Sequence, residues 1–252
     1  MKNLLRTFFA FTLVLVMAFS FTACNDESTS SLKDTTITAA SSDMEESNKN
    51  SNSSEANTNS SEDLVRAEIV IKKHGTIKLD LYPDEAPVTV ANFVKLAKDG
   101  FYDGLTFHRI MEDFMMQGGD PKGDGTGGSE REIKGEFAAN GHVNNISHIR
   151  GTISMARSGS QYEQYLSMGY KLSDLPSDAQ SDLKRAYNSG SSQFFICHAD
   201  SLFLDGNYAA FGRVTDGMNI VDKICTESAP IDNNGTIPAE KQPVIETIKI
   251  IE

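Results

Sequence analysis

The sequence lacks tryptophan altogether, has three cysteines among 252 residues, and carries few basic side chains. Its formal net charge is −12, from 35 acidic and 23 basic residues. A protein that binds nucleic acid needs clustered Lys and Arg to neutralise phosphates, so this balance argues against a nucleic-acid partner. The same balance disfavours electrostatic attraction to anionic lipid headgroups.

Cysteine and histidine are too scattered to indicate a metal centre. The sequence contains no Cys-x-x-Cys pair and no zinc-like spacing. His142 and His148 are the closest pair among the five histidines, but no acid or cysteine accompanies them at ligand spacing. We therefore predict no metal site. The spacing leaves open whether Cys197 and Cys225 form a disulfide.

A long apolar run occurs at the N-terminus, where two basic residues precede the segment from Phe8 to Phe21. This pattern is typical of a secretory signal, and the run is short for a membrane span. We interpret residues 1–23 as a signal peptide. Its end, Phe21-Thr22-Ala23-Cys24, resembles the lipobox of bacterial lipoproteins, although Phe21 replaces the usual aliphatic residue.

The lipobox resemblance implies that Cys24 is acylated, palmitate included, and becomes the mature N-terminus. Several acyl chains on one residue would anchor the protein stably. We therefore expect it at the cell membrane, on the extracytoplasmic face, with membrane contact only through the lipid anchor. The alternative is a soluble secreted protein cut near Ala23.

Residues 24–63 are rich in Ser, Asn, Thr and Glu and have almost no large apolar side chains. Such a segment cannot bury enough apolar surface to offset the entropy of ordering it. We predict a disordered tether, whose mean reach as a coil would be about 35 Å. Residues 64–252 then form one domain of ordinary size.

Short strand patterns dominate the predicted domain. Ile77, Leu79 and Leu81 alternate with polar residues, which is typical of a strand with one wet face. Many such strands with two separated helices favour a β-barrel over alternating α/β. We predict strands at Ala67–Ile71, Thr76–Tyr82, Phe107–Gly118, Gly151–Ala156, Ala209–Val214 and Val244–Ile251, and helices from Pro87 to near Gly100 and over Asp216–Ile224.

Two segments interrupt this pattern. Residues 159–190 are polar, and we interpret them as a partly helical insertion in which Asp182–Tyr187 is helical and Ser177 is a candidate cap. Gly123, Gly125 and Gly128 match a dinucleotide-binding Gly motif, but no helical pattern follows and Asp124 would repel phosphate. We predict a tight glycine-dependent turn there, and no cofactor.

Two apolar stretches enclose strong hydrogen-bonding side chains, namely Phe107–Asp120 and Ser191–His198. Unpaired buried polar groups cost several kcal/mol, so the arginine and glutamines within them need partners or a ligand. An apolar pocket with a few convergent polar groups is typical of a small-ligand or peptide site.

The motifs of these stretches resemble the cyclophilin peptidyl-prolyl isomerases. They occur in family order over about residues 66–251. The resemblance implies a mainly β fold, an eight-stranded antiparallel barrel capped by two helices, with the site on its outer face. The matching motifs are Phe107-His108-Arg109, Phe114-Met115, Gln117-Gly118-Gly119-Asp120, Gly125-Thr126-Gly127-Gly128, Ser154-Met155-Ala156, Ser192-Gln193-Phe194-Phe195-Ile196 and Leu204-Asp205-Gly206.

The resemblance also assigns roles. Arg109 matches the family arginine that stabilises the twisted prolyl amide, and Gln117 matches the residue that positions it. The remaining matches bind substrate: Phe114, Met115, Phe195 and Leu204 the proline ring, Ala156, Arg157 and Ser158 the backbone before proline, and Gln193 and Gly125 the groove, with Phe203 and Tyr208 also at the site.

Three residues depart from the family pattern. Phe203 occupies the place of a tryptophan in many members, Tyr208 that of a histidine, and Arg157 that of an asparagine whose contact is chiefly through the backbone. Without the indole N–H donor, the family inhibitor cyclosporin should bind more weakly. Insertion 159–190 lies between two site-forming strands, so we hypothesise that it overhangs the groove and biases substrate choice or recruits a client.

The leading prediction is an enzyme, a monomer that isomerises proline-containing peptides and unfolded exported proteins. One alternative is a cyclophilin-like module that holds such segments as a chaperone with little catalysis. Another is a structural surface protein in which the tether and the insertion matter most.

Overall fold

The computed structural model describes residues 64–251. The predicted signal peptide 1–23, the lipidation site Cys24 and the tether 24–63 lie outside the described residues. Within the described part of the chain, no helix is long and apolar enough to cross a bilayer.

One sheet contains eight antiparallel strands, namely β1 Val65–Ile71, β2 Gly75–Leu81, β3 Thr106–Met111, β4 Met115–Asp120, β5 Thr152–Met155, β6 Phe194–Cys197, β7 Ala209–Asp216 and β8 Ile245–Ile251. Their order across the sheet is β3-β4-β6-β5-β7-β2-β1-β8. The two outer strands approach each other where Thr106 bridges Val244 and where Ile245 exchanges backbone hydrogen bonds with Gly104 and Leu105. This curvature confirms the predicted mainly β, barrel-like fold.

Alternation along the strands sets the core. In β2, Ile77, Leu79 and Leu81 are buried while the residues between them are more exposed, as the sequence predicts. Two helices cover the core, α1 at Pro87–Lys98 and α4 at Met218–Glu227. Phe93 of α1 is fully buried and meets the ring of Phe194 edge-on at 5.5 Å, so this helix packs directly behind β6.

The insertion contains α2, Glu163–Ser167, and α3, Ser177–Tyr187. The prediction that Ser177 caps the second helix is wrong, because Ser177 is its first helical residue and Pro176 occupies the cap position. The helix also begins earlier than the predicted Asp182, since Ala179 and Leu183 are completely buried and extend its apolar face by a further turn.

The glycine-rich segment after β4 is a turn, as predicted. Gly123 and Gly125 have φ of 68° and 88°, which favour glycine. The buried Asp120 carboxylate accepts hydrogen bonds from the backbone N–H groups of Lys122 at 2.8 Å and Gly125 at 2.6 Å. These N–H groups therefore face a carboxylate and are not available to a phosphate. Cys197 and Cys225, whose pairing the sequence left open, are both free and buried.

Candidate active site

Strand register brings the predicted site residues onto one outer face. Arg109 of β3 pairs with Gln117 of β4, and Gln117 pairs in turn with Phe195 of β6. Because side chains alternate, Phe194 points into the main core while Phe195 joins a separate outer cluster with Met115. This division is the one the sequence analysis expected for the two phenylalanines.

Arg109 is held at two ends. Its Nε donates to the backbone carbonyl of Asn234 at 2.7 Å, and Nη1 lies 3.4 Å from Oε1 of Gln117. The sulfur atoms of Met111 and Met115 lie 3.2 Å and 3.6 Å from its terminal nitrogens. Burial lowers the pKa of Arg109, and Tyr208 and Asp232 act against that shift. A guanidinium stays protonated at working pH despite such a shift.

Gln117 links this arginine to the glycine-rich turn. Its Nε2 donates to Oε1 of Gln193 at 2.8 Å. Gln193 in turn donates to the carbonyls of Gly127 at 2.7 Å and Gly125 at 3.1 Å. These hydrogen bonds fix the orientations of the side-chain amides of Gln117 and Gln193, and they direct Oε1 of Gln117 to Arg109.

Next to the guanidinium is a cavity of about 230 Å³. This is below the usual range for drug-sized ligands, so it suits one side chain or ring better than a whole ligand. Leu204 and Phe195 are almost completely buried in its wall. The lining residues are Arg109, Phe114, Met115, Gln117, Ala156, Arg157, Phe195, Leu204 and Tyr208.

A second cavity, of about 360 Å³, adjoins the first and shares Gln117, Ala156 and Arg157 with it. Its lining is polar, with serine hydroxyls and the backbone of the glycine-rich turn. Together the two cavities form a groove with one apolar and one polar compartment. Of the predicted residues, Gly125, Ser158 and Gln193 line the second compartment alone.

Among the residues predicted to form the groove, Phe203 alone lines neither cavity. Its side chain is 70% exposed, and its ring lies 5.5 Å from that of Phe114 at the rim. Tyr208, by contrast, packs edge-on against Phe195 at 5.8 Å and forms part of the wall.

Behind Phe195 lies a hydrogen-bonded set of three polar residues, of which His148 and Ser154 are buried and Asp205 is exposed. His148 stacks on Phe195 with ring centroids 6.0 Å apart, and its two nitrogens contact Asp205 at 2.8 Å and Ser154 at 3.0 Å. Burial lowers the pKa of His148, although Asp205 raises it. The order Asp–His–Ser is that of a hydrolase triad, but Ser154 is completely buried and cannot reach a substrate. These three residues support the pocket wall at Phe195 from behind.

Sequence reasoning missed the turn that holds Arg109. Gly235 has φ of 85°, and a Cβ there would lie 2.5 Å from Met111 and 2.7 Å from the carbonyl of Ile110. Only glycine lets this turn approach β3 closely enough for Asn234 to accept from Arg109. The run Asp232-Asn233-Asn234-Gly235 was a recognisable turn signal, but nothing local indicated its partner strand.

Among residues 64–251, no cluster of three His, Cys, Asp or Glu side chains could hold a metal ion. The groove presents the guanidinium of Arg109, the side-chain amides of Gln117 and Gln193, and apolar walls. Such a site can grip an extended peptide, place a cationic donor against it and bury one ring.

Comparison with known proteins identifies relatives of this arrangement. A family model described as cyclophilin type peptidyl-prolyl cis-trans isomerase/CLD matches residues 66–168 and 179–251. The unmatched residues 169–178 fall inside the predicted insertion.

Two curated bacterial relatives illustrate the similarity. A peptidyl-prolyl cis-trans isomerase of Synechococcus elongatus is 42% identical over 152 residues, which cover 60% of this chain and 82% of the relative. Peptidyl-prolyl cis-trans isomerase B of Bacillus subtilis is 42% identical over 142 residues, which cover 56% and 78%.

Solved structures agree. The crystal structure of a Cryptosporidium parvum cyclophilin type isomerase superposes with a TM-score of 0.57 at 25% identity, covering 75% of this chain and 98% of that one. The same parasite protein in the presence of the dipeptide Ala-Pro gives a TM-score of 0.56 at 25% identity, covering 74% and 99%.

Proposed function

This chain belongs to the cyclophilin-type peptidyl-prolyl cis-trans isomerases, and from that membership we propose how its groove isomerises a prolyl bond and where in the cell it does so. The enzyme class itself follows from the family. The roles of single residues, the substrates and the location are the proposal.

Rotation about a peptide bond is opposed by amide resonance, with a barrier of about 18–20 kcal/mol. The two isomers before proline differ by only about 0.5–1 kcal/mol, so the task is to stabilise the twisted state between them. In that state the prolyl nitrogen regains its lone pair and becomes a hydrogen-bond acceptor. A donor beside that nitrogen binds the twisted amide better than the planar one, which is the requirement for catalysis.

We assign that donor role to Arg109. Within the described part of the chain its oxygen acceptors are Asn234 and Gln117, while its remaining hydrogen-bond partners are methionine sulfurs, which are weak acceptors. A guanidinium has five N–H donors, so donor capacity is left for a substrate in the adjoining cavity. This position of Arg109 is the observation that carries the proposal.

The apolar compartment would hold the proline ring, and the polar compartment the residues before it. Met115, Phe195 and Leu204 supply buried apolar surface for the ring. Ser158, Gln193 and the glycine-rich turn line the polar compartment, where they would flank an extended chain. No covalent step is needed, because bond rotation neither forms nor breaks a bond to the enzyme.

The experiment is an isomerisation assay on residues 64–252 with a proline peptide, coupled to a protease that cleaves one isomer. Arg109→Ala should lower kcat/KM by about a hundredfold or more, the usual effect of losing one preorganised donor. Arg109→Lys keeps the charge but loses the planar guanidinium, so its kcat/KM should lie between those of the wild type and Arg109→Ala. Arg66→Ala is the matched control, because Arg66 is exposed on β1.

Equal kcat/KM values for the wild type and Arg109→Ala would contradict the proposal that Arg109 is the donor. Equally slow rates in both, with peptide binding retained, would favour the chaperone module that holds proline segments with little turnover.

We propose further that the enzyme is lipid-anchored at the extracytoplasmic face of the cell membrane and acts on exported proteins there. The signal-like residues 1–23 and the lipobox-like Cys24 support this location. Its substrates would then be proline-containing segments of chains that are still unfolded after export.

A further inference from the structure

Arg157 borders the groove, yet its side chain does not face it. The side chain is only 3% exposed, whereas the residue as a whole is intermediate in exposure because its backbone lies open to both compartments. A guanidinium buried to this degree needs a complete set of partners.

Three aromatic rings and a carboxylate surround it. The guanidinium carbon lies 4.6 Å from the ring centre of Tyr208, 5.1 Å from that of Tyr187 and 5.4 Å from that of Phe137. Nη1 binds Oε1 of Glu163 at 2.8 Å. Cation–π contacts are strongest where, as here, the cation is removed from water.

The partners come from two different parts of the molecule. Glu163 belongs to α2 and Tyr187 to α3, so both are contributed by insertion 159–190. Tyr208 belongs to the wall of the apolar compartment. Arg157 also donates from Nε to the carbonyl of Asn207 at 2.9 Å, which fixes the backbone immediately before Tyr208.

Tyr208 connects the guanidinium of Arg157 to the apolar compartment. Tyr208 meets Phe195 edge-on at 5.8 Å, and Phe195 is the buried ring at the centre of the outer cluster. A displacement of the guanidinium would therefore release one face of Tyr208 and change the shape of the cavity in which the proline ring would sit.

We propose that Arg157 is a positioning residue through which the insertion sets the place of Tyr208, and hence how tightly the apolar compartment binds its ring. This inference rests on the proposed role of that compartment as the proline site. It gives the insertion a specific influence on substrate affinity without direct contact with the substrate.

The test uses residues 64–252 and the peptide succinyl-Ala-Ala-Pro-Phe-p-nitroanilide. NMR titration gives Kd, and exchange between the cis and trans peptide signals gives the catalysed rate at saturation. Arg157→Met, which keeps the packing but loses the charge and donors, should raise Kd roughly five- to tenfold. The rate at saturation should stay within about twofold, because Arg109 is untouched.

Two further variants grade the effect. Arg157→Lys keeps a cation without the planar fork and should restore part of the affinity. Glu163→Gln removes the ion-pair partner from the insertion side and should shift Kd in the same direction and displace the Tyr208 ring signals. The control is Arg185→Gln on α3, which breaks the exposed Arg185–Asp182 pair without touching the cage.

An unchanged Kd in folded Arg157→Met, or an equal rise in Arg185→Gln, would overturn the inference. If Arg157→Met does not fold, Glu163→Gln decides on the same criteria. Failure of the proposed proline site would look different, because wild-type signals of Phe195 and Leu204 would then not respond to the peptide at all.

Discussion

Side chains around the groove differ in how firmly the protein holds them. Arg109 is tied to Asn234 and Gln117, and Arg157 is enclosed by rings, but Phe203 stands 70% exposed with one ring contact, to Phe114. A loosely held residue at the rim tolerates replacement without cost to the core. It is therefore the natural place to alter what binds across the groove.

Cyclosporin binding tests that position. An indole N–H at position 203 would supply a donor that phenylalanine lacks. Phe203→Trp should tighten binding of cyclosporin by about tenfold, the value of one net hydrogen bond of about 1.4 kcal/mol, as measured by inhibition of the isomerase assay. Leu202→Trp places an indole one residue away and should have little effect. Nanomolar inhibition of the wild-type domain would contradict the prediction.

At the scale of elements, α1 depends on a residue far from it in sequence. The carboxylate of the buried Glu136 accepts from the backbone N–H groups of Val88 at 3.0 Å and Thr89 at 2.8 Å, and from the hydroxyl of Thr89 at 2.7 Å. The first N–H groups of a helix have no partner within the helix. Since α1 packs Phe93 behind β6, this cap also supports the floor of the site.

Glu136→Gln tests whether α1 depends on the Glu136 carboxylate. The amide can replace only one carboxylate oxygen, and its NH₂ group would face a donor, so one of the two backbone N–H groups loses its acceptor. We expect the free energy of unfolding in urea to fall by about 2 kcal/mol. Glu130→Gln, at an exposed position, is the control and should change it by less than about 0.5 kcal/mol. Equal stabilities for the two variants would refute the capping role.

At the scale of the whole molecule, the question is where the enzyme works. If Cys24 carries lipid and residues 24–63 form the predicted tether, a mean reach of about 35 Å would keep the domain close to the membrane surface. The isomerase would then meet exported chains at high local concentration before they leave that surface.

Cys24→Ser should move the protein from the membrane fraction to the medium and abolish labelling with palmitate, because serine offers no thiol for acylation. The measurement is fractionation of cells expressing the full chain. Ser30→Ala, within the tether, should leave the distribution unchanged. Unchanged palmitate labelling of Cys24→Ser would rule out this anchor.

Local patterns predicted a β-barrel, six strand segments and both covering helices, whereas the family and its count of eight strands came from the resemblance of the motifs. The alternation of apolar and polar residues in β2 requires only that one face of the strand be exposed to solvent. The helical spacing of Val90 and Phe93 in α1 requires only that one side of the helix pack on a core. Strand register then brings Arg109, Gln117 and Phe195 side by side in consecutive strands. The motif order already carried the information for this part of the site.

Other features were decided by segments distant in sequence. The Asn234 carbonyl beside Arg109, the Glu136 carboxylate at α1 and the rings around Arg157 all join residues that no local pattern relates. The motifs assigned Arg109 to catalysis and the backbone of Arg157 to substrate binding, but they did not show where either side chain would point. Only packing showed that one guanidinium lies beside the cavity and the other is buried among aromatic rings, because side-chain direction depends on neighbours that folding brings together.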